Sequence, residues 1–426
     1  MQILAFDPST TFTLAFAVAL LGHTWLKFWL ASRQIRHVAT HRPSVPPMFA
    51  ASISLQAHHK AADYTIAKTR FGLLELAWGV ALTLGWTLLS GLSALNALLL
   101  EWMGGGLLQQ VALVAAFTLI NGLLELPFSL YMTFVLEQRF GFNKMTPALW
   151  LQDTLKSLVL GALIGLPLLT GFLWLMGATG GLWWLWVWAA WMAFNLLAMV
   201  VYPTWIAPWF NRFEPLQDAE LAQRVTALLQ RCGFHAQGLF VMDGSKRSAH
   251  ANAYFTGFGA AKRVVFYDTL LKQLSPGEVD AVLAHELGHF KHRHVTKRII
   301  LMFGVSLLGF AALGWLSTQV WFYTGMGVMP NLDSPNDGLA LLLAMMLMPM
   351  VGSVLRPLLA QVSRRDEFQA DAYAMAQTRG EDLASALLKL YKDNASTLTP
   401  DPLFVRYYYS HPPATERLAR MSAAFG

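Results

Sequence analysis

The segment His-Glu-Leu-Gly-His at residues 285–289 has the residue types and the spacing of a catalytic metal site. On a helix, His285 and His289 project from one face, where two imidazoles can bind the same Zn²⁺. Glu286 lies beside them, placed to accept a proton from metal-bound water while the metal polarises a carbonyl group. The pattern predicts a zinc site with Glu286 as general base; an exposed or salt-bridged pair of histidines is the alternative.

The sequence before this segment predicts the helix that must carry it. Ser275 and Glu278 have the spacing of a capping box, and Pro276 occupies the first helical position. A helix that begins there runs directly into the metal-binding segment. Further along, His292 and His294 lie off the metal-facing side or too far along the helix. We interpret these two histidines as solvated basic residues.

A third metal ligand is expected from another element, as a carboxylate or an imidazole. Residues 363–371 offer Glu367, with Asp371 four residues later on the same helix face. We predict that Glu367 is the ligand and that Asp371 accepts the free N–H of a ligand histidine. Asp366 points about 100° away and is a weaker candidate. A surface pair of carboxylates is the alternative.

Two further segments offer groups that would hold or polarise a substrate. Residues 250–257, which include Asn252, form a short run that as an edge strand would pair with a peptide backbone. An ordinary internal strand fits the same run. In the C-terminal tail, His411 and Arg417 are available to stabilise an oxyanion. By residue type alone they are equally well surface residues.

The elements that must position these residues are unusually apolar. Hydrophobic residues make up 55% of the 426 residues and charged residues 13%, about half the charged share of a soluble protein. Seven apolar runs are long enough to cross a membrane as helices, at 10–30, 73–98, 107–135, 157–177, 181–204, 299–322 and 338–360. The predicted fold is mainly α, a polytopic membrane protein of seven transmembrane helices with a small α+β cytoplasmic domain.

The basic residues lie on one side of these spans. The loops near 99–106, 178–180 and 323–337 contain no Lys or Arg, because all 31 lie in 27–70, 137–156, 205–298 and 356–426. The positive-inside rule then places the N-terminus outside and the C-terminus in the cytoplasm. No basic segment precedes the first run and no cleavage site follows it, so we expect a retained span. A single cysteine, Cys232, permits no intramolecular disulfide and agrees with a reducing compartment.

Two hydrophilic blocks define the predicted domain organisation. The first contains a helix near 217–232 and strands at 239–242, 253–258 and 263–267, and the second is helical. The predicted parts are a five-helix membrane domain, a peptidase segment, two more membrane helices and a helical end of the peptidase domain, at 1–205, 206–298, 299–360 and 361–426. Glu75, Glu125 and Asn195 within the spans would be costly against lipid, so we predict that they face the interior or bond between helices.

Longer motifs resemble the integral-membrane CAAX prenyl protease type 1 family, which are seven-span zinc gluzincins. The matching segments cover most of the chain and lie at 64–71, 140–144, 153, 156, 206–211, 248–257, 285–289, 367–371, 409–413 and 416–418. One departure is Trp209, where the family more often has leucine, and we attach no functional meaning to it.

The resemblance implies one Zn²⁺ per chain, bound by His285, His289 and Glu367, with Glu286 as the base. It implies that Asn252 and its strand hold the substrate and that His411 and Arg417 lie near the reacting carbonyl; the substrate-binding residues of that run are His250, Asn252, Ala253 and Tyr254. Helices of this family enclose a water-filled membrane chamber with the zinc site at its cytoplasmic end. The implied activity is removal of the last three residues of prenylated CAAX proteins.

Three other functions stay open. Quality-control proteases of the heat-shock type have fewer spans, and site-2-type proteases carry this chemistry on a transmembrane helix, whereas Lys291 and Arg293 follow the segment here. A transporter or lipid-handling protein with a vestigial zinc site would not need Glu286. Expected partners are a peptide or protein substrate, with or without a lipid, and membrane lipids, but no nucleic acid; no residue pattern indicates an oligomeric state. Short loops and the lack of a retrieval tail favour a bacterial inner membrane.

Overall fold

The computed structural model describes residues 7–234, 236–256 and 263–425. In these ranges six helices are long and apolar enough to cross a membrane, and a bent pair of helices supplies a seventh span. The six spans contain α1 (Pro8–His41), α4 (Leu107–Tyr131), α5 with α6 (Pro147–Leu160 and Leu166–Ala178), α7 (Trp183–Val201), α11 (His294–Leu316) and α13 (Asp337–Gln377). The prediction of a mainly α protein with seven spans is confirmed.

The other elements are short or lie outside the spans. The bent pair consists of α2 (Leu55–Trp86) and α3 (Gly91–Met103). The remaining helices are α8 (Ala219–Arg231), α9 (Asp268–Gln273), α10 (Pro276–Lys291), α12 (Val320–Thr324), α14 (Gly380–Asp393), α15 (Pro402–Tyr408) and α16 (Ala414–Phe425).

The second span differs from the single run predicted at 73–98. Its first helix is capped by the Ser54 side chain and ends at Trp86, and the chain bends by 49° before α3. The bend packs tightly against Gly327, where a Cβ atom would lie 2.9 Å from the Thr87 carbonyl oxygen. Hydropathy does not reveal this break because the residues on both sides of it are apolar.

One continuous helix connects the membrane to the predicted metal site. α13 has 41 residues, a length of about 60 Å at the rise of an α-helix. Its first part contains the span predicted at 338–360, and its last part carries Glu367 and Asp371. The boundary drawn at residue 360 therefore falls within a single helix, which holds both carboxylates in a fixed position relative to the membrane.

A four-stranded sheet supports the peptidase part. Its strands β1 (Phe213–Pro215), β2 (Gly238–Met242), β3 (Ala253–Thr256) and β4 (Arg263–Tyr267) lie in the order β1-β2-β4-β3. Among the described residues, β3 pairs antiparallel with β4 and lies at the edge of the sheet. The short and mostly exposed β1 was not predicted, since Glu214 and Pro215 are poor strand formers. The last two residues of the predicted strand 253–258 lie outside the described residues.

The start of α10 is stabilised as predicted. Ser275 and Glu278 form a complete capping box, with Pro276 in the first turn. The buried Glu278 carboxylate also accepts hydrogen bonds from the Ser385 hydroxyl and the Lys389 ammonium, at 2.6 and 2.7 Å. These bonds join α10 to α14. The helix is also held from behind, because its apolar side belongs to the same hydrophobic core as β4 and α8.

An ionic contact docks the peptidase part on the membrane helices. Arg247 donates two hydrogen bonds to the Asp153 carboxylate of α5, at 2.8 and 3.0 Å, and a third to the Asn211 side chain. Nearby, the Lys156 ammonium donates to the Trp209 carbonyl oxygen at 2.7 Å. The motifs around residues 153 and 206–211, far apart in the chain, thus form one contact.

α10 and α13 cross at two small residues. A Cβ atom on Gly288 would lie 2.8 Å from Ala370 Cα and 3.1 Å from the Ala370 carbonyl oxygen. Both atoms belong to the backbone and have no rotamer to adopt, so only glycine permits this separation. Ala370 and Ala374 are completely buried, as a close approach of the two helices requires.

We expect Gly288→Ala to lower the free energy of unfolding by about 1–3 kcal/mol, because the added methyl group overpacks the crossing. Thermal unfolding of the purified protein in detergent measures this. Gly309→Ala in α11 is the matched control, since no atom lies within 4 Å of a Cβ placed there. Equal melting temperatures for the two variants would contradict a tight crossing.

Candidate metal centre

Three side chains from two helices converge at the crossing. The Nε2 atoms of His285 and His289, both on α10, are 3.3 Å apart. Each also lies 3.4 Å from an oxygen of Glu367 on α13. Among the described residues, this is the one group of three such donors with all ligand atoms within 4.8 Å of one another. The structure brings together the three residues that the sequence predicted as ligands.

The spacing of these atoms fits a tetrahedral metal ion. Ligand atoms bound at about 2.0–2.1 Å in a tetrahedron are separated by roughly 3.4 Å. Glu367 Oε2 is buried and receives no hydrogen bond, as expected of an oxygen that binds a cation. Burial alone would lower the pKa of His285, but the adjacent Asp371 and Glu367 carboxylates outweigh that effect and raise the pKa to about 9. The carboxylates thus give the site a strong affinity for positive charge, and the donors fit Zn²⁺.

Asp371 orients the first histidine. His285 Nδ1 lies 2.9 Å from Asp371 Oδ1, so its N–H is directed to the carboxylate and Nε2 is left to face the metal position. The predicted neighbour relation between these two residues is therefore observed. Because Asp371 lies one helical turn after Glu367, a single helix supplies both a ligand and the group that orients another ligand.

Arg417 has a different environment from the one we expected. It is buried in α16 and donates through Nε and Nη2 to both oxygens of Asp371. Its remaining Nη1 is 3.9 Å from Glu367 Oε2. The guanidinium group is thus engaged by the carboxylates behind the metal position. This arrangement favours a role in positioning Asp371 over direct contact with a reacting carbonyl.

His294 corrects another expectation. We interpreted it as solvated, but it is 2% exposed, and its Nδ1 lies 3.0 Å from His289 Nδ1. On the other side its Nε2 lies 3.0 Å from Gln369 Oε1 and 3.4 Å from Asp366 Oδ1. The sequence obscured this contact because Arg293, with a φ of 57°, ends α10 and redirects the chain into α11. Only that turn brings His294 back to His289.

Glu286 lies within the site beside the first ligand and is half-buried. Burial raises the pKa of its carboxyl group above the ordinary value, although the neighbouring imidazoles oppose the shift. A carboxylate with a raised pKa binds a proton more readily than an exposed glutamate does, as a general base must.

His411 approaches the centre from the C-terminal segment. Its Nε2 lies 3.3 Å from Glu367 Oε1, and its side chain is 63% exposed, facing the open side of the site. Arg364 holds this segment in place through Nη1, which donates to the carbonyl oxygens of Tyr409 and Val405 at 2.7 and 3.0 Å. Residue type alone did not identify Arg364, whose role depends on the position of α15.

The four residues predicted to hold substrate occupy different positions. Ala253 and Tyr254 lie in the edge strand β3, while the exposed Asn252 precedes it and accepts a hydrogen bond from the Ala253 N–H at 2.8 Å. His250 lies outside the strand, stacks on Phe142 and places Nδ1 3.1 Å from Asn394 Oδ1. In the part of the sheet that the structure describes, one edge of β3 is therefore unpaired, and His250 belongs to the wall of a cavity.

This cavity has a volume of about 1130 Å³ and extends from His250 and His411 into the membrane helices. Glu75 and Glu125 line it, in agreement with the prediction that they face the interior. Asn195 does not line it; its side-chain amide donates to the carbonyl oxygen one turn earlier on its own helix. A backbone carbonyl of its own helix thus satisfies the Asn195 amide, and the interior position of this residue stays a prediction.

Comparisons with known proteins agree with this geometry. Residues 34–212 match the family described as CAAX prenyl protease N-terminal, five membrane helices, and residues 215–424 match peptidase family M48. The chain is 34% identical to CAAX prenyl protease 1 of Saccharomyces cerevisiae, covering 92% of this chain and 91% of the relative. It is 31% identical to the human CAAX prenyl protease 1 homolog, over 94% of each chain.

A solved structure shares the fold over nearly the whole length. The crystal structure of S. mikatae Ste24p matches with a TM-score of 0.90 and 30% sequence identity, covering 96% of this chain and 99% of the other. A match of this extent includes the membrane helices as well as the sheet and the metal-binding helices.

We expect Asp371→Asn to weaken zinc binding by about 10- to 100-fold, because the substitution removes the charged acceptor that orients His285. Competition of the purified protein with a chromophoric zinc chelator measures the affinity. Glu381→Gln, which alters an exposed carboxylate that pairs with Arg379, should leave it unchanged. Equal affinities for the two variants would show that Asp371 does not support the metal centre.

Proposed function

This chain belongs to the CAAX prenyl protease type 1 family within peptidase family M48 and is an integral-membrane metalloendopeptidase, and on that premise we propose that it uses one Zn²⁺ to release the C-terminal tripeptide of prenylated proteins. The observation that carries this proposal is the spacing of His285, His289 and Glu367, with Glu286 beside them. His411, next to these ligands, lines a large cavity between membrane helices.

We assign each residue of the centre a role in hydrolysis. His285, His289 and Glu367 would hold the zinc ion, which when bound acidifies a water molecule and polarises the scissile carbonyl group. The Glu286 carboxylate accepts the proton of the attacking water and delivers it to the leaving amine. Asp371 and Arg417 hold His285 in the orientation that binding requires.

The substrate backbone is assigned to the free edge of β3. An extended peptide adds to such an edge through main-chain hydrogen bonds, which position the scissile bond independently of the side chains. Asn252, Ala253 and Tyr254 would form this contact, and His250 would line the adjoining part of the cavity. His411 lies on the open side of the metal position, where its imidazole would donate to the carbonyl oxygen as negative charge develops.

The distribution of charge supports an orientation for the centre. All 31 Lys and Arg lie in 27–70, 137–156, 205–298 and 356–426, and the loops between these segments contain none, so we assign the peptidase part and the C-terminus to the cytoplasm and the N-terminus to the outer side. A prenyl group inserts into the membrane, and this orientation would bring the adjoining peptide to the zinc. The short loops are the separate reason for which we expect a bacterial inner membrane.

We expect Glu286→Gln to reduce cleavage of a farnesylated CAAX peptide by about 10²–10⁴-fold, the usual contribution of a general base. Mass spectrometry of the released tripeptide measures the rate, and zinc content by atomic emission should stay near that of the original protein. A chelator should abolish cleavage by the original protein, and added Zn²⁺ should restore it.

Two outcomes would change the proposal. Undiminished cleavage by the Glu286→Gln variant would refute the assigned mechanism. Equal rates on farnesylated and unmodified peptides, together with cleavage of unfolded membrane proteins, would instead favour the quality-control function.

A further inference from the structure

The second histidine ligand has a buried neighbour with no role in the mechanism above. His294, the first residue of α11, is 2% exposed and places Nδ1 3.0 Å from His289 Nδ1. Its other nitrogen, Nε2, lies 3.0 Å from Gln369 Oε1 and 3.4 Å from Asp366 Oδ1, both on α13. His294 therefore connects a metal ligand of α10 with polar side chains of α13.

The metal position determines which nitrogen of His289 carries a proton. Its Nε2 atom lies 3.4 Å from Glu367 Oε1 and must present a lone pair to a metal ion bound between them. A neutral imidazole then carries its single N–H at Nδ1, which is the atom that faces His294. Two N–H groups cannot form a hydrogen bond with each other, so His294 Nδ1 must be the acceptor.

An acceptor at His294 Nδ1 requires the proton of that ring to lie on Nε2. Gln369 does not decide this, because its amide can present either an oxygen or an N–H group. Asp366 does decide it, since an ionised carboxylate only accepts hydrogen bonds and favours the ring with its N–H on Nε2. Arg298 Nη2, 4.0 Å from the other oxygen of Asp366, supports the ionised form. The donors in this chain of contacts then all point from the metal ligand toward α13.

We propose that His294 is a positioning residue that holds His289 in the tautomer able to bind zinc, and that Asp366 sets the tautomer of His294. The inference rests on the zinc site of the proposed function. His289 donates from Nδ1 to His294, and His294 in turn directs its Nε2–H toward the Asp366 carboxylate. The opposite pair of tautomers would place a proton on His289 Nε2 and occupy the lone pair that the metal needs.

Both histidine ligands are then oriented from the same helix. The first contacts Asp371, whose carboxylate is held by Arg417 of α16. The second reaches Asp366 through His294, and Arg298 of α11 pairs with that carboxylate. A carboxylate of α13 thus acts on one ligand directly and on the other through a neutral ring. Loss of Asp366 should therefore affect the metal only while His294 is present.

The test measures zinc affinity by competition of the purified protein with a chromophoric chelator, which requires no cleavage. His294→Phe keeps a ring of similar size without an acceptor, and it should weaken zinc binding by about 10- to 100-fold. His294→Asn, whose side-chain oxygen can accept the same hydrogen bond, should bind zinc more tightly than His294→Phe. Lys297→Gln, at an exposed position further along α11, is the matched control and should leave the affinity unchanged.

A double-mutant cycle tests the role of Asp366. Asp366→Asn replaces the carboxylate by an amide that can donate to His294 Nε2, and it thereby permits the tautomer that prevents His289 from binding zinc. Alone it should weaken zinc binding by about 3-fold or more, whereas in the His294→Phe background it should change the affinity by less than about 2-fold. A carboxylate that acted on zinc only through its charge would lower the affinity by the same factor in both backgrounds.

Two results would overturn the positioning role. These are a His294→Phe variant that binds zinc as tightly as the original protein, and equal effects of Asp366→Asn in both backgrounds. Melting temperatures of the metal-free proteins detect a variant that fails to fold. Should His294→Phe do so, the cycle is run with His294→Asn, whose oxygen accepts without any choice of tautomer, and it decides in the same way.

The outcome is separable from that of the proposed function. An original protein that binds zinc but cleaves no CAAX peptide would refute the proposed function and leave the affinity results decisive for His294. An original protein that binds no zinc would refute both.

Discussion

The separation between α10 and α13 controls the geometry of the metal centre. Gly288 lies immediately before the second histidine ligand, and Ala370 lies between the glutamate ligand and the aspartate that orients His285. Backbone contact at these two residues allows the histidine ligand atoms of α10 to lie 3.4 Å from the Glu367 oxygens of α13. Metal–ligand bonds tolerate errors of only about 0.2 Å. A single methyl group added at the crossing would separate the two helices and displace the ligand atoms from the positions that zinc requires.

Burial of several charged groups around this crossing adds a second constraint. Glu367, Asp371 and Arg417 are almost fully buried, and charges in such a place require partners. Arg417 of α16 compensates Asp371, while the metal ion would compensate Glu367. The ion pair between Arg417 and Asp371 thereby connects the C-terminal helix α16 to α13, which carries a metal ligand. We infer that loss of the metal loosens this end of the peptidase part.

The membrane helices contribute more than an anchor. α13 passes from its span to the metal centre without interruption, and Arg247 joins the peptidase part to α5. The centre is thus held at a fixed height above a cavity of about 1130 Å³. Under the proposed function, the tripeptide separates from the prenylated product and enters this cavity, whose wall includes polar side chains.

The amino-acid sequence by itself determined the local chemistry and the membrane character. His285, His289 and Glu286 follow from helical spacing, the start of α10 from a capping box, and the seven spans from apolar run length, because each depends on residues close in the chain. Glu367 was predicted from residue type and its partner Asp371, and the structure places it within reach of both histidines.

Tertiary structure alone decided which distant residues meet. The contact of His294 with His289 depends on the left-handed backbone at Arg293, and the engagement of Arg417 with Asp371 depends on where α16 packs. The bend of the second span and the continuity of α13 arise likewise from packing and not from hydropathy. The spacing of apolar residues specifies which face of a helix is apolar. Which other element packs against that face depends on the free energy of the whole folded chain.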